Sequence, residues 1–169
     1  MGLDMYLSAN YYLWAHKDDE QALAEQISKI IGEDLPPVPE NHFRKTRIEG
    51  LNLEVMYWRK ANAIHHWFVE NVQQGDDDCG RYYVPFEKLE ELLKLCEQVL
   101  TVYEDEDMPK HKKAQELNTL LPTQAGFFFG STEFDEWYIA DIKNTINGLK
   151  MFLDSPVAQR CDYYYHSSW

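Results

Sequence analysis

The stretch LNLEVMYWRKANAIHHWFVEN, Leu51 to Asn71, changes its period halfway along. In its first half Leu51, Leu53, Val55 and Tyr57 alternate with Asn52, Glu54, Met56 and Trp58, the two-residue repeat of a half-buried strand. From about Lys60 the repeat becomes helical. Arg59, Asn62, His66, Glu70 and Gln73 recur every three or four residues on one face, while Ala61, Ile64, His65, Phe68 and Val72 share the other. A strand running straight into an amphipathic helix predicts a mixed α and β architecture, and the same two periods recur on either side.

Upstream, Leu3 to Trp14 reads as a strand expected in the sheet centre. Asp18 and Gln21 resemble a capping box, opening a helix whose apolar face is Ala22, Leu23, Ile27, Ile30 and Ile31 and which Gly32 stops. The three prolines of LPPVPEN, Leu35 to Asn41, make a stiff connector. Downstream, Gly75 to Gly80 is a turn and Arg81 to Val84 a short strand. Pro85 opens a long helix with the stripe Phe86, Leu89, Leu93, Cys96, Leu100 and Tyr103, stopped by the acidic run Glu104 to Asp107. A short helix follows from Lys110 to Leu120. Gly126 to Phe129 is strand-like, and Thr132 to Leu153 is a helix with the stripe Ile139, Ile142, Ile146, Leu149 and Leu153. The tail CDYYYHSSW reads as a last, edge-capable strand. The expected fold is α+β, one domain over 1–169, with a small sheet packed by about four or five helices.

A chain of 169 residues with 44% hydrophobic residues supports one packed core and is short for two. Eleven Tyr, eight Phe and five Trp exceed what a minimal core needs and leave rings for binding surfaces. The net charge of −13 argues against nucleic acid as a partner, because a phosphate footprint needs clustered Lys and Arg. Cys79, Cys96 and Cys161 have neither CxxC spacing nor an even count, which fits free thiols in a reducing compartment. The start MGLDMYLSANYY has no basic region before a long apolar one, and no run of eighteen apolar residues occurs, so neither secretion nor membrane insertion is expected. Ser8 is not placed to complete a myristoylation signal after Gly2.

Two segments hold most of the reactive side chains: MYWRKANAIHHWFVEN and LLPTQAGFFFGSTEFDEWY, Leu120 to Tyr138. Each sets aromatic rings beside Arg, His, Asn, hydroxyl or carboxylate groups, the mixture that lines small-ligand pockets. The ligand-binding candidates are Trp58, Arg59, Asn62, His65, His66, Phe128, Ser131, Thr132, Glu133, Asp135 and Trp137. Arg59 suits a phosphate or carboxylate and His66 a proton transfer, yet the same stripe also fits a solvated helix face. His65 reads more readily as a buried imidazole bonded to backbone. Adjacent histidines on a helix diverge by ~100° and cannot chelate one ion together. The run Asp76 to Asp78 lacks the spaced ligands of a calcium loop, so neither metal nor cofactor is expected. In GFFFGST, Thr132 is a natural N-cap, and Glu133, Asp135 and Glu136 in the first turn would repel a phosphate, leaving contacts to a sugar hydroxyl, a base edge or a cation. No nucleophile signature is present, so no catalytic residue is assigned.

In chain order, MGLDMYL, YWRKANAIHHWFV, the DDC turn at Asp77 to Cys79, LLPTQAGFFFGSTEFDEWY and YYYHSSW resemble a family of small uncharacterised proteins of bacteriophage and prophage genomes. The resemblance runs nearly end to end and carries no activity or catalytic residue. Arg59, Asn62 and His65 match its pattern, whereas His66 stands where the family often has Lys. It implies an accessory, counter-defence protein of the host cytoplasm. The leading expectation is non-catalytic sequestration of a nucleotide-like ligand. One alternative is an acidic inhibitor of a host defence protein. Another is a small hydrolase of a nucleotide signal, pairing His65 or His66 with Glu133 or Asp135. Self-association is left open. If the two segments follow parallel neighbouring strands, they meet in one concavity walled by Trp58, Trp67, Phe128 or Trp137 with Arg59 at its rim; if the strands are antiparallel, the aromatics are core.

Overall fold

The computed structural model describes residues 2–31 and 35–169, so Gly32, the expected helix stop, lies outside the described residues. The elements run β1 (Asp4–Tyr12), α1 (Asp18–Ile31), β2 (Gly50–Arg59), α2 (Asn62–Asn71), β3 (Tyr82–Val84), α3 (Phe86–Glu104), α4 (Lys110–Leu120), α5 (Glu136–Leu153), a 3-10 turn Ala158–Arg160 and β4 (Cys161–Ser168). The fold is α+β, with one antiparallel sheet in the order β2-β1-β4-β3. β1 is central, as its sequence suggested. The tail strand β4 is interior too, which corrects its edge-capable reading: it pairs on one side with β3, Tyr82 opposite Tyr165 and Val84 opposite Tyr163. An edge strand needs only one satisfied side, but β4 buries Tyr163, Tyr165 and Ser167 in alternation and serves as the spine of the core.

The chain divides into two compact units, Met1–Ala9 with Glu54–Trp169, and Asn10–Leu53. In the larger, the inward face of the sheet carries Leu3, Met5, Leu7, Met56, Trp58, Val84, Tyr163 and Tyr165. Tyr165 stacks on Phe68 of α2 at 3.9 Å between centroids, and Trp58 meets the same Phe68 edge-on at 5.9 Å. Such pairs add about 0.5–1.5 kcal/mol each beyond their buried area. Trp58 also donates its indole N–H to Thr145 Oγ1 at 2.8 Å, locking β2 to α5. Gly148 of α5 lies so close to Met56 that a Cβ there would overlap its sulfur. The opposite face of the sheet holds Tyr6, Tyr57 and His166; Tyr6 stacks on His166 at 4.7 Å.

α3 packs against α5 and α4. Its buried stripe is Leu89, Leu92, Cys96 and Val99, so the expected Leu93 and Leu100 are only half-buried. Spacing by three and four allowed either assignment, and α5 chose between them. Gly126–Phe129 is not a strand but a turn, closed by Phe129 N–H to Gly126 O at 3.2 Å. α5 begins at Glu136, four residues after the expected start.

In the smaller unit the capping box does not form. Asp18 is itself helical, and the Gln21 Oε1 accepts from Lys45 N–H at 3.4 Å. Glu20 turns inward because its carboxylate accepts from Trp14 N–H at 2.6 Å and pairs with Lys17. That fixes the helix rotation with Glu20, Gln21 and Ala24 inside, and leaves Leu23, Ile30 and Ile31 exposed, opposite to the predicted apolar face. The prolyl connector is held by Arg47, which donates to the carbonyls of Pro36 and Pro37. Among the described residues, no helix is long and apolar enough to cross a membrane.

Candidate functional site

The first wall of the site is the β2–α2 junction. Lys60 N–H donates to Leu3 O at 2.8 Å, which ends the strand ladder. The chain then turns through a left-handed Lys60, φ 61°. A lysine gains nothing intrinsic from that conformation, and such positions cost about 1–3 kcal/mol. The turn leaves Arg59 and Lys60 exposed and delivers Asn62 into the interior, 4% accessible.

Asn62 builds the second wall. Its amide donates to Phe129 O at 3.1 Å and Ser131 O at 2.8 Å, while its carbonyl accepts from Gln124 N–H at 3.1 Å. One side chain thus ties down a loop more than sixty residues away in sequence. Two more left-handed residues shape that loop, Phe128 at φ 67° and Gly130 at φ 97°. At Gly130 a Cβ would sit 3.3 Å from both Cβ and O of Lys60, so the close approach of the walls requires glycine. Ser131 Oγ accepts from Glu133 N–H, and Thr123 donates to Thr132 O. The N-cap of α5 is Asp135, not Thr132: its carboxylate oxygen Oδ1 accepts from Trp137 N–H and Tyr138 N–H, both at 3.0 Å. Thr132 lies inside the loop, three residues too early, where its backbone carbonyl accepts from Thr123.

Between these walls lies a cavity of about 340 Å³. Arg59 and Lys60 line it from the junction; Glu133, Asp135, Trp137 and Asp141 line it from the loop and α5. Trp137 is 71% exposed, a ring left bare at the cavity wall. Burial, reinforced by the Asp135 charge, pushes the Asp141 carboxyl up to about 6. Among the described residues, neither Arg59 nor Lys60 closes a salt bridge, although three carboxylates share the cavity with them.

Of the residues the sequence singled out, the structure places Arg59, Asn62, Ser131, Glu133, Asp135 and Trp137 on this cavity. It sets the others elsewhere. Trp58 and Trp67 are core. Phe128 is half-exposed and packs beside Phe127 outside the lining. Thr132 and His66 do not line it either, and the Nδ1 of His66 is buried with no hydrogen-bond partner among the described residues. The segments meet although the sheet is antiparallel, because the second is a loop pinned by Asn62 and not the end of a parallel strand. Lys60, Thr123 and Asp141 were missed. Asp141 sits one helical turn past Glu136 and Trp137, beyond the segment the sequence marked.

His65 belongs to a separate cluster. It is fully buried, with Nδ1 2.8 Å from Tyr165 Oη and Nε2 3.0 Å from Asp77 Oδ2. Trp169 donates to the other Asp77 oxygen at 3.0 Å. Its imidazole is therefore bonded to side chains, not backbone, and its carboxylate partner is Asp77, not Glu133 or Asp135. Desolvation lowers its pKa below the ordinary 6.5, with Asp77 opposing. Among the described residues, no group of three or more His, Cys, Asp or Glu side chains could hold a metal ion. The chain matches no family model, no curated protein and no solved structure.

Proposed function

We propose that this protein binds a small nucleotide-like molecule in the cavity between Arg59 and Asp141 and holds it without turnover. The observation that carries this is the unneutralised charge there: among the described residues, two cations and three carboxylates line one cavity without a salt bridge, beside an exposed indole. A nucleotide supplies the complement, a phosphate for Arg59 and Lys60 and a flat base for Trp137. The volume is near the lower end of the roughly 300–1,000 Å³ range of ligand pockets, suiting one base and one charged group. Retention without reaction is favoured because the hydroxyl of Thr123 is spent on a backbone carbonyl and His65 is committed to Tyr165 and Asp77. In the phage setting that the sequence resemblance implies, such a protein would sequester a nucleotide signal of the host's defence.

The test is to incubate the protein with a mixture of ribonucleotides and cyclic nucleotides, remove unbound material, denature by heat and analyse what is released by mass spectrometry. An intact nucleotide is the expected result. A chemically altered product would favour an enzyme, and an empty protein would refute the reading. Arg59→Ala should abolish retention with nearly unchanged melting temperature, since no salt bridge among the described residues is lost with it; a large loss of stability would make Arg59 structural.

A further inference from the structure

Most neutral polar groups on the cavity are already engaged among the described residues. Asn62, Thr123 and Tyr138 donate to the backbone carbonyls of Phe129 and Ser131, of Thr132 and of Leu121 respectively. Ser131 Oγ accepts from Glu133 N–H. What remains to read a ligand is mainly charged, Arg59 and Lys60 on one wall and Glu133, Asp135 and Asp141 on the other, beside the Ser131 O–H and the Trp137 indole N–H. The charged groups of the second wall are therefore all acceptors. Among its carboxylates, Glu133 is exposed to water and Asp135 has one oxygen occupied by two backbone N–H groups. Among the described residues, Asp141 alone of these three is both shielded and uncommitted in its carboxylate, and it lies one turn beyond the exposed Trp137 on the same helix.

An ionised carboxylate accepts two parallel N–H donors. Of the common bases only guanine presents two adjacent donors on one edge, its ring N1–H and its 2-amino group. Adenine and cytosine pair a donor with a lone pair there, which would face a carboxylate oxygen. A zwitterionic amino acid would satisfy the charges but leave Trp137 uncovered. We infer that the cavity selects a guanine mononucleotide, with the base stacked on Trp137, its N1–H and 2-amino group donated to Asp141, and its phosphate held by Arg59 and Lys60. This rests on the nucleotide-binding reading above and specifies its base.

The experiment is calorimetric titration of the intact protein with GMP, IMP, AMP and XMP at neutral pH, repeated on Asp141→Asn. Wild type should bind GMP roughly 10-fold or more tightly than IMP, which lacks the 2-amino group, or AMP. In Asp141→Asn the GMP preference should vanish and shift toward XMP, whose 2-oxo group accepts from the new amide; melting curves of the same samples report whether the variant is folded. Equal binding of GMP, IMP and AMP by wild type would overturn the guanine assignment while leaving nucleotide binding intact. So would a folded Asp141→Asn with unaltered selectivity. Binding of none of the four would overturn both.

Discussion

Replacing Asn62 separates the scaffold of the site from its ligand chemistry. Asn62→Ala removes three hydrogen bonds at once, to Phe129 O, Ser131 O and Gln124 N–H. At about 1 kcal/mol net for each, the loss should be about 3 kcal/mol, a large part of the roughly 5–15 kcal/mol that holds a domain folded. Ser131 is exposed and Gln124 half-buried, so those two groups can turn to water, whereas Phe129 is buried and its carbonyl is left unpaired, which makes about 3 kcal/mol the lower side of the expected cost. Asn62→Asp is the sharper probe. It keeps the acceptor for Gln124 but points a carboxylate oxygen at two carbonyls in a buried site, so at neutral pH it should be less stable than Asn62→Ala. Its folded-state pKa would be raised, so its stability should recover as pH falls and a protonated carboxyl again donates to one carbonyl. Urea unfolding followed by tryptophan fluorescence gives both stabilities, and hydrogen exchange at residues 124–133 shows whether the loop loosens while the sheet stays protected. A loss under about 1 kcal/mol for Asn62→Ala, or an Asp variant more stable than the Ala variant at neutral pH, would show that Asn62 does not clamp the loop.

Two further predictions carry opposite pH signs. Because burial raises Asp141 to about 6 from 3.8, its ionised form disfavours the fold above that pH, and the penalty is relieved as pH falls through about 6. Asp141→Asn should therefore stabilise the protein in mild alkali, by about 1 kcal/mol once solvent screening is allowed for, and the gain should close toward pH 4; thermal melts across that range check it, and a gain independent of pH would refute it. His65 has its folded pKa lowered below 6.5, so its contribution is complete above 6.5 and is lost as pH falls through the lower folded value. Tyr165→Phe, which leaves His65 Nδ1 without its partner, should cost about 1 kcal/mol at neutral pH in a urea melt, and no change would mean that the 2.8 Å contact contributes nothing.

Local pattern determined most of the elements, the turn at Gly126–Phe129 being the exception. The strand-to-helix switch near Lys60 and the start and end of α4 were legible because period and breaker residues act over a few neighbours, and the α+β class follows from them. Charge and aromatic surplus also marked both segments that line the cavity. The tertiary structure decided what no local pattern contains. Glu20 rotated α1 away from its apolar face because a backbone N–H six residues upstream demanded a carboxylate. β4 became interior because Tyr163 and Tyr165 found a core to fill, while the same alternation would serve an edge. Asn62 looked like part of a solvated stripe and proved to be the clamp of a distant loop, since the identity of its partners depends on where residues 124 to 131 pass in space. Asp141 could not be singled out at all: one acidic residue on an amphipathic helix reads as solvated until the opposite wall is present to shield it, and that desolvation is a property of the assembled cavity.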